Sequence, residues 1–191
     1  QSITLPAKKL ADITKSLPAN SVLQLHKQKE QMVIKSGKSR FTLSTLPPAE
    51  FPNIGKIQPT VEFSINQKKL SQILQRTLFA MSQQDVRYYL NGILLEITKD
   101  NIRAIATDGH RLAMNNLPSK SSSGTKVQAI IPRKAVLQLT KILHSNSGEV
   151  NLSIGPNFLR ASCAEYTFTT RLIDGRYPDY NRVIPKQTER N

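Results

Sequence analysis

The sequence predicts an α+β fold built from repeated strand–helix–three-strand modules, and three observations carry that expectation. One design occurs three times: LPAKKLADITKSL at 5–17, INQKKLSQILQRTL at 65–78 and IPRKAVLQLTKIL at 131–143. Short runs follow in which apolar and polar residues alternate, the period-2 mark of half-buried antiparallel strands. The pattern also returns at a fixed distance. Pro132 stands 126 residues after Pro6, and Tyr177-Pro178-Asp179 stands the same distance after Phe51-Pro52-Asn53, a tandem duplication.

Each copy of the design places Pro6, Asn66 or Pro132 where Pro suits a first helical turn and Asn can cap one. Leu10, Ile13 and Leu17 then form one apolar stripe; Leu70, Ile73, Leu74 and Leu78 form the second, and Val136, Leu139 and Leu143 the third. Basic residues take the opposite face. Lys8 and Lys15 lie roughly 160° and 140° from Leu10 on a helical wheel; Lys68 and Arg76, then Lys134 and Lys141, repeat this, with Lys9, Lys69 and Arg133 beside them. The only acid in the three copies is Asp12. Such short helices are marginal alone, so their apolar stripes must be held on sheets and their lysines left in water. One basic helix is a solvated face; three in matching phase point to a polyanionic partner.

Strands are expected at 21–26, Gln31–Ser36 and 39–46, with a tight turn at Ser36-Gly37-Lys38 before Pro47, Pro48 and Pro52 break regularity. A strand at 61–65 leads into the second helix. The loop 82–87 then leads to Tyr88 and Tyr89, expected to start the strand 90–98 and so to point to opposite faces. The hairpin 102–107/110–115 is expected to pivot on a two-residue Asp108-Gly109 turn. Residues 119–126 read as a polar loop, and strands Glu149–Ile154, 158–163 and 166–173 complete the replay of the first segment. The chain therefore reads as a half-unit, a whole unit (about 61–183) and a short tail.

The chain has 191 residues, formal net charge +14 and 38% hydrophobic residues, which fits a globular protein with one or two cores and a nucleic-acid partner. No apolar run approaches a membrane span. Cys163 stands alone, so no internal disulfide framework exists, and His26, His110 and His144 are scattered. A nuclease could be imagined on Asp108, Asp174, Asp179 and His110. Asp108 and Asp174 each precede a glycine, however, as turn-forming Asp does. A sequence-reading DNA module would need Arg, Asn or Gln at its helix N-termini, where Lys prevails. No Gly-rich phosphate loop is present. No enzyme, metal or cofactor is expected.

Three motifs carry a resemblance: Gln84-Asp85-Val86-Arg87-Tyr88-Tyr89-Leu90-Asn91-Gly92, Ala106-Thr107-Asp108-Gly109-His110-Arg111-Leu112-Ala113, and Asp174-Gly175-Arg176-Tyr177-Pro178-Asp179-Tyr180. With them, nearly the whole chain resembles the bacterial replicative sliding clamps, the β subunits of DNA polymerase III. The resemblance implies the DNA clamp fold: a cytoplasmic homodimeric ring in the complete protein, with basic helices lining the hole and antiparallel sheets forming the outer wall. It implies that residues 1–58 end a first domain, that 59–183 are the middle domain, and that 184–191 lead to a third. Double-stranded DNA would meet Lys8, Lys68, Gln84, Tyr88, Tyr89, Arg133 and Lys134. Short peptides of replicative and translesion polymerases, the clamp loader and mismatch-repair-type proteins would dock against Leu90, Thr107, Gly109, His110, Arg111, Leu112, Pro178, Arg182 and Val183. Leu112 and Val183 would form apolar floor, and Gly109 would allow close backbone approach. Lys9, Ile13, Leu17, Lys38, Arg40, Phe41 and Leu43 would lie at the ring joint. Family members are often acidic, so the +14 is a departure. A sequence-independent DNA-binding module outside the replisome is the alternative.

Overall fold

The computed structural model describes residues 2–51, 58–118, 126–143 and 148–184. It divides into two compact units, Gln1–Gly55 and Lys56–Asn191. The expected features at Pro52-Asn53, at 119–125 and at 185–191 lie outside the described residues.

The first unit is a helix, α1 (Ala7–Ser16), and three strands, β1 (Gln24–Gln28), β2 (Gln31–Ser36) and β3 (Ser39–Ser44), in the order β1-β2-β3. Pro6 precedes the helix, and Leu17 is already extended ahead of Pro18. The first strand starts three residues later than the alternation suggests. Ser21 donates its N–H to the Pro18 carbonyl and Asn20 has φ 65°, so 18–21 is a turn. Leu10 and Ile13 pack with Ile3, Leu5, Leu23 and Phe41 on buried Met32, Ile34 and Leu43. One helix over three strands is a thin cover, and no residue of α1 is fully buried.

The second unit holds two strand–helix–three-strand modules. The first is β4 (Val61–Asn66), α2 (Gln67–Gln75), β5 (Gly92–Ile97), β6 (Asn101–Thr107) and β7 (Leu112–Pro118); the second is β8 (Val127–Pro132), α3 (Arg133–Leu143), β9 (Glu149–Ile154), β10 (Phe158–Ser162) and β11 (Thr167–Arg171). The modules exchange their leading strands. The sheets run β7-β6-β5-β8 and β11-β10-β9-β4, antiparallel throughout, with Val61 opposite Ile154 and Gly92 opposite Pro132. Gly92 is required there, because a Cβ would fall 2.3 Å from the Ile131 carbonyl oxygen. Asn66 caps α2 by accepting the Lys69 N–H at 3.2 Å. Leu70, Ile73 and Leu74 of α2 and Val136, Leu139 and Leu143 of α3 are all buried in one core with Ile93, Leu95 and Ile97. Each is worth about 1.5–3 kcal/mol of burial.

All six residues of β5 are buried, so both faces of its sheet are covered. Helices cover one face. On the other, Leu94, Ile105 and Ile130 pack under Tyr177 and Tyr180, from a strap spanning 172–184. The repeat reappears in a detail: Leu46 N–H donates to Thr4 O at 3.1 Å, and Ile173 N–H to Ile130 O at 2.9 Å.

Three local expectations are corrected. Helix α2 stops at Gln75 rather than running to Leu78, since the Thr77 hydroxyl bonds the Ile73 and Leu74 carbonyls and a 3-10 turn, Leu78–Ala80, follows. Tyr88 and Tyr89 do not begin a strand; they sit in a 3-10 turn, Tyr88–Leu90, so neither alternates across a sheet. The hairpin pairs Thr107 with Leu112, leaving a four-residue loop. The Asp108 carboxylate accepts the N–H groups of His110 and Arg111 at 3.0 Å each, supplying the bonds that a two-residue turn would have taken from the ladder.

Candidate functional site

A cleft of about 370 Å³ opens where that loop, the Tyr88–Leu90 turn and the strap meet. Leu90, Thr107, Gly109, His110, Arg111, Leu112, Pro178 and Val183 line it, eight of the nine residues expected at a docking groove. Arg182 is the exception. The Asp179-capped turn Tyr180–Arg182 carries its side chain outward, 84% exposed, with Nε 3.2 Å from Asp179 Oδ2, and it lines a neighbouring cavity of about 510 Å³ instead. Four residues were missed: Arg87, Tyr89, Asp179 and Tyr180. All four lie within the quoted motifs, but their facing depends on turns that periodicity does not report. The floor is buried Leu90 and Tyr180 with half-buried Leu112, whereas Val183 is 68% exposed and belongs to the rim.

Two arginines tie the cleft together. Arg87 grips Asp85 with Nε at 3.1 Å and Nη2 at 2.8 Å, and Nη2 also reaches the Asp108 carbonyl at 3.3 Å. That side-chain pairing is the main reason the Asp85 carboxyl is lowered to about 2. Arg111 bonds Asp108 through Nε at 3.0 Å and the Phe79 carbonyl through Nη2 at 2.7 Å. The backbone N–H groups of His110 and Arg111, with the Arg111 guanidinium, hold the Asp108 carboxyl below its usual range. Gly109 has φ 91°, and a Cβ there would meet the Arg87 guanidinium at 3.1 Å. Its lack of a side chain therefore suits both the loop conformation and the Arg87 guanidinium beside it.

The residues expected to meet DNA differ in exposure. Lys68 and Lys134 project into water from α2 and α3; Gln84 is exposed on a loop at φ 59°. Tyr88 is 56% exposed, and its ring meets that of Tyr89 edge to face at 5.7 Å, while Tyr89 is half-buried and turned to the cleft. Arg133 is also half-buried, with Nη1 3.5 Å from the Met81 carbonyl. Lys8 is exposed on α1 in the first unit. At the expected ring joint, Lys9, Lys38 and Arg40 are exposed, whereas Ile13, Phe41 and Leu43 belong to the core of their unit and Leu17 is half-buried. β3, which carries Arg40, Phe41 and Leu43 and follows Lys38, is an edge strand among the described residues. No group of three His, Cys, Asp or Glu side chains able to hold a metal ion occurs among the described residues.

The structure thus joins a partly apolar cleft, with Arg87 and Arg111 in its lining, to a repeat-built α+β scaffold whose helices carry exposed lysines. The comparisons place it. Residues 64–179 match the central domain of the DNA polymerase III beta subunit, and residues 1–55 its N-terminal domain. The chain is 48% identical over 184 residues to the beta sliding clamp of Pseudomonas aeruginosa and 42% identical over 188 residues to that of Escherichia coli. These alignments cover 96% and 98% of the chain, and 50% and 51% of the relatives. A crystal structure of the P. aeruginosa DNA polymerase III subunit beta matches at TM-score 0.91 and 47% identity, covering 98% of this chain and 51% of that one. A Bartonella birtlesii sliding clamp bound to griselimycin matches at 0.89 and 40%, covering 96% and 50%. The chain belongs to the DNA polymerase III beta subunit family. It spans about half the length of the curated relatives it matches.

Proposed function

We propose that the chain is part of a bacterial sliding clamp, a non-enzymatic processivity factor that encircles duplex DNA in the cytoplasm and tethers partner proteins by short peptides. The observation that carries this reading is the cleft, where residues from all three motifs converge around one partly apolar hollow with Arg111 in its lining. In this reading 1–58 end the first clamp domain, 59–183 form the middle domain and 184–191 lead onward. The exposed lysines of α1, α2 and α3 meet phosphates, and their contacts are weak enough to slide. The open edge of β3 continues a sheet across the ring joint, with Lys9, Lys38 and Arg40 facing acidic groups. Polymerases, the clamp loader and mismatch-repair-type proteins insert an aliphatic and an aromatic side chain into the cleft.

The experiment is titration of the complete protein with a fluorescein-labelled polymerase-tail decapeptide bearing one aliphatic and one aromatic residue. Arg111→Ala and Leu112→Ala are each expected to weaken binding about tenfold, roughly 1.4 kcal/mol, without altering ring assembly by sedimentation. Unchanged peptide affinity in both variants would refute the groove.

A further inference from the structure

One polar rung crosses the outer face of the sheet β7-β6-β5-β8. Asn116, Arg103, Glu96 and Gln128 stand directly opposite one another on the four strands. Glu96 is the surprise. It interrupts the apolar run Gly92–Ile97 and is only 4% exposed. A buried carboxylate is costly unless it is paired and hydrogen-bonded, and this one is. Lys126 Nζ lies 2.7 Å and Gln128 Nε2 2.9 Å from Glu96 Oε2. Its other oxygen accepts the Tyr180 hydroxyl at 3.1 Å, and Arg103 Nη1 lies 3.7 Å away. Arg103 donates to the same hydroxyl at 2.9 Å and to Asn116 Oδ1 at 2.7 Å.

The Tyr180 hydroxyl is thus held by a donor and an acceptor, and Tyr180 is both part of the cleft floor beneath the strap and the first residue of the turn that follows Asp179. A second tyrosine pins the same strap: Tyr177 Oη accepts the Thr107 N–H at 3.0 Å. Between the two hydroxyl anchors lie Pro178 and Asp179, which line the cleft, and Val183 follows. An apolar core would suffice to hold the strap down. The charged rung adds something else, a fixed lateral position for a strap that carries one short 3-10 turn, Tyr180–Arg182.

We propose that Glu96 is the positioning residue of the docking cleft. Through the Tyr180 hydroxyl, it sets the spacing between the strap wall and the Thr107–Leu112 wall, and so the depth available to an inserted side chain. This inference rests on the groove reading above. It assigns a role to a residue that touches no ligand.

The test is a double-mutant cycle on the complete protein, using the same labelled decapeptide, with Tyr180→Phe, Glu96→Gln and the pair. Tyr180→Phe keeps the ring and its packing, so it folds; Glu96→Gln keeps the shape but sets an amide against donors. Each single change is expected to raise the peptide Kd about five- to tenfold, and the double change no further than the worse single one, because both break one link. Short-duplex DNA affinity, which does not use the strap, is expected to stay within twofold. Peptide affinity within twofold of the parent in Tyr180→Phe, or losses that multiply in the double variant, would overturn the positioning role while leaving the groove intact. A parent protein that fails to bind the peptide would overturn the groove reading itself.

Discussion

Arg133 and Lys134 are neighbours in sequence and both fall on the basic side of α3, yet they are not equivalent. Lys134 is exposed and makes no ion pair among the described residues; Arg133 is half-buried, its guanidinium turned toward the Met81 carbonyl at 3.5 Å. Each phosphate neutralised adds about 0.9 to the slope of log K against log salt. Lys134→Ala is therefore expected to flatten that slope by about 0.9 for each copy in a ring. For one copy, the affinity penalty would be about threefold larger at 50 mM than at 200 mM salt. Arg133→Ala is expected to change the slope by less than half as much. The assay is anisotropy of a short labelled duplex with open ends, onto which a closed ring can thread, at several salt concentrations. Equal slopes in the parent and Lys134→Ala would refute the assignment of α3 to the DNA side, and an equal effect of the two substitutions would refute the distinction drawn between them.

Other outcomes follow from the repeat and from the buried charge. Ile13 and Leu139 occupy the same module position, half-buried in one unit and 1% exposed in the other. Leu139→Ala should cost about 2–5 kcal/mol, as in other buried aliphatic truncations. Ile13→Ala should cost roughly 1 kcal/mol within its unit; hydrogen exchange of β9–β11 against β1–β3 compares the two. If α1 joins the ring interface, the Ile13→Ala loss also grows on dilution, which sedimentation would detect. Glu96 has its pKa lowered: burial opposes the shift, but bonds from Lys126, Gln128 and Tyr180 outweigh it. Its contribution is present above the unfolded value near 4.5 and disappears as pH falls through the lower folded value. The gap in urea stability between parent and Glu96→Gln should accordingly be constant near neutrality and shrink below pH about 4.5; a gap that widens there would contradict the pairing. Gly109→Ala should lose about 1 kcal/mol or more, since φ is 91° and the Arg87 guanidinium would lie only 3.1 Å from the new Cβ. Denaturant midpoints measure it.

The parts of this fold that local pattern encodes were readable. The three helices lie inside the three repeated segments, because their stripes and their Pro or Asn starts are short-range signals. Alternation is a partial guide to facing: Val61, Phe63 and Ile65 are the buried residues of β4, whereas Leu25 of β1 is 54% exposed. It does not say which strands are neighbours, so the exchange of β4 and β8 was invisible. The Asp108 loop and the Tyr88 turn escaped because side-chain and turn bonds there outcompete the ladder. Glu96 left a trace, a lone acid among Ile and Leu, but its partners Gln128 and Tyr180 are 32 and 84 residues away along the chain. Most of the cleft was found through motif resemblance and not through physics. Arg182 lines the neighbouring cavity because the Asp179-capped turn carries its side chain outward, a local geometry that sequence spacing does not report.

The swapped leading strands carry a kinetic consequence. Val61 must find Ile154, and Gly92 must find Pro132, before either four-stranded sheet has its last edge filled. Neither half can mature ahead of the other, so loop closure across nearly the whole unit precedes its reward in buried surface. On the ribosome, the first half would wait with an unfilled β5 edge until β8 emerges, exposed to whatever chaperone or stray strand reaches it first.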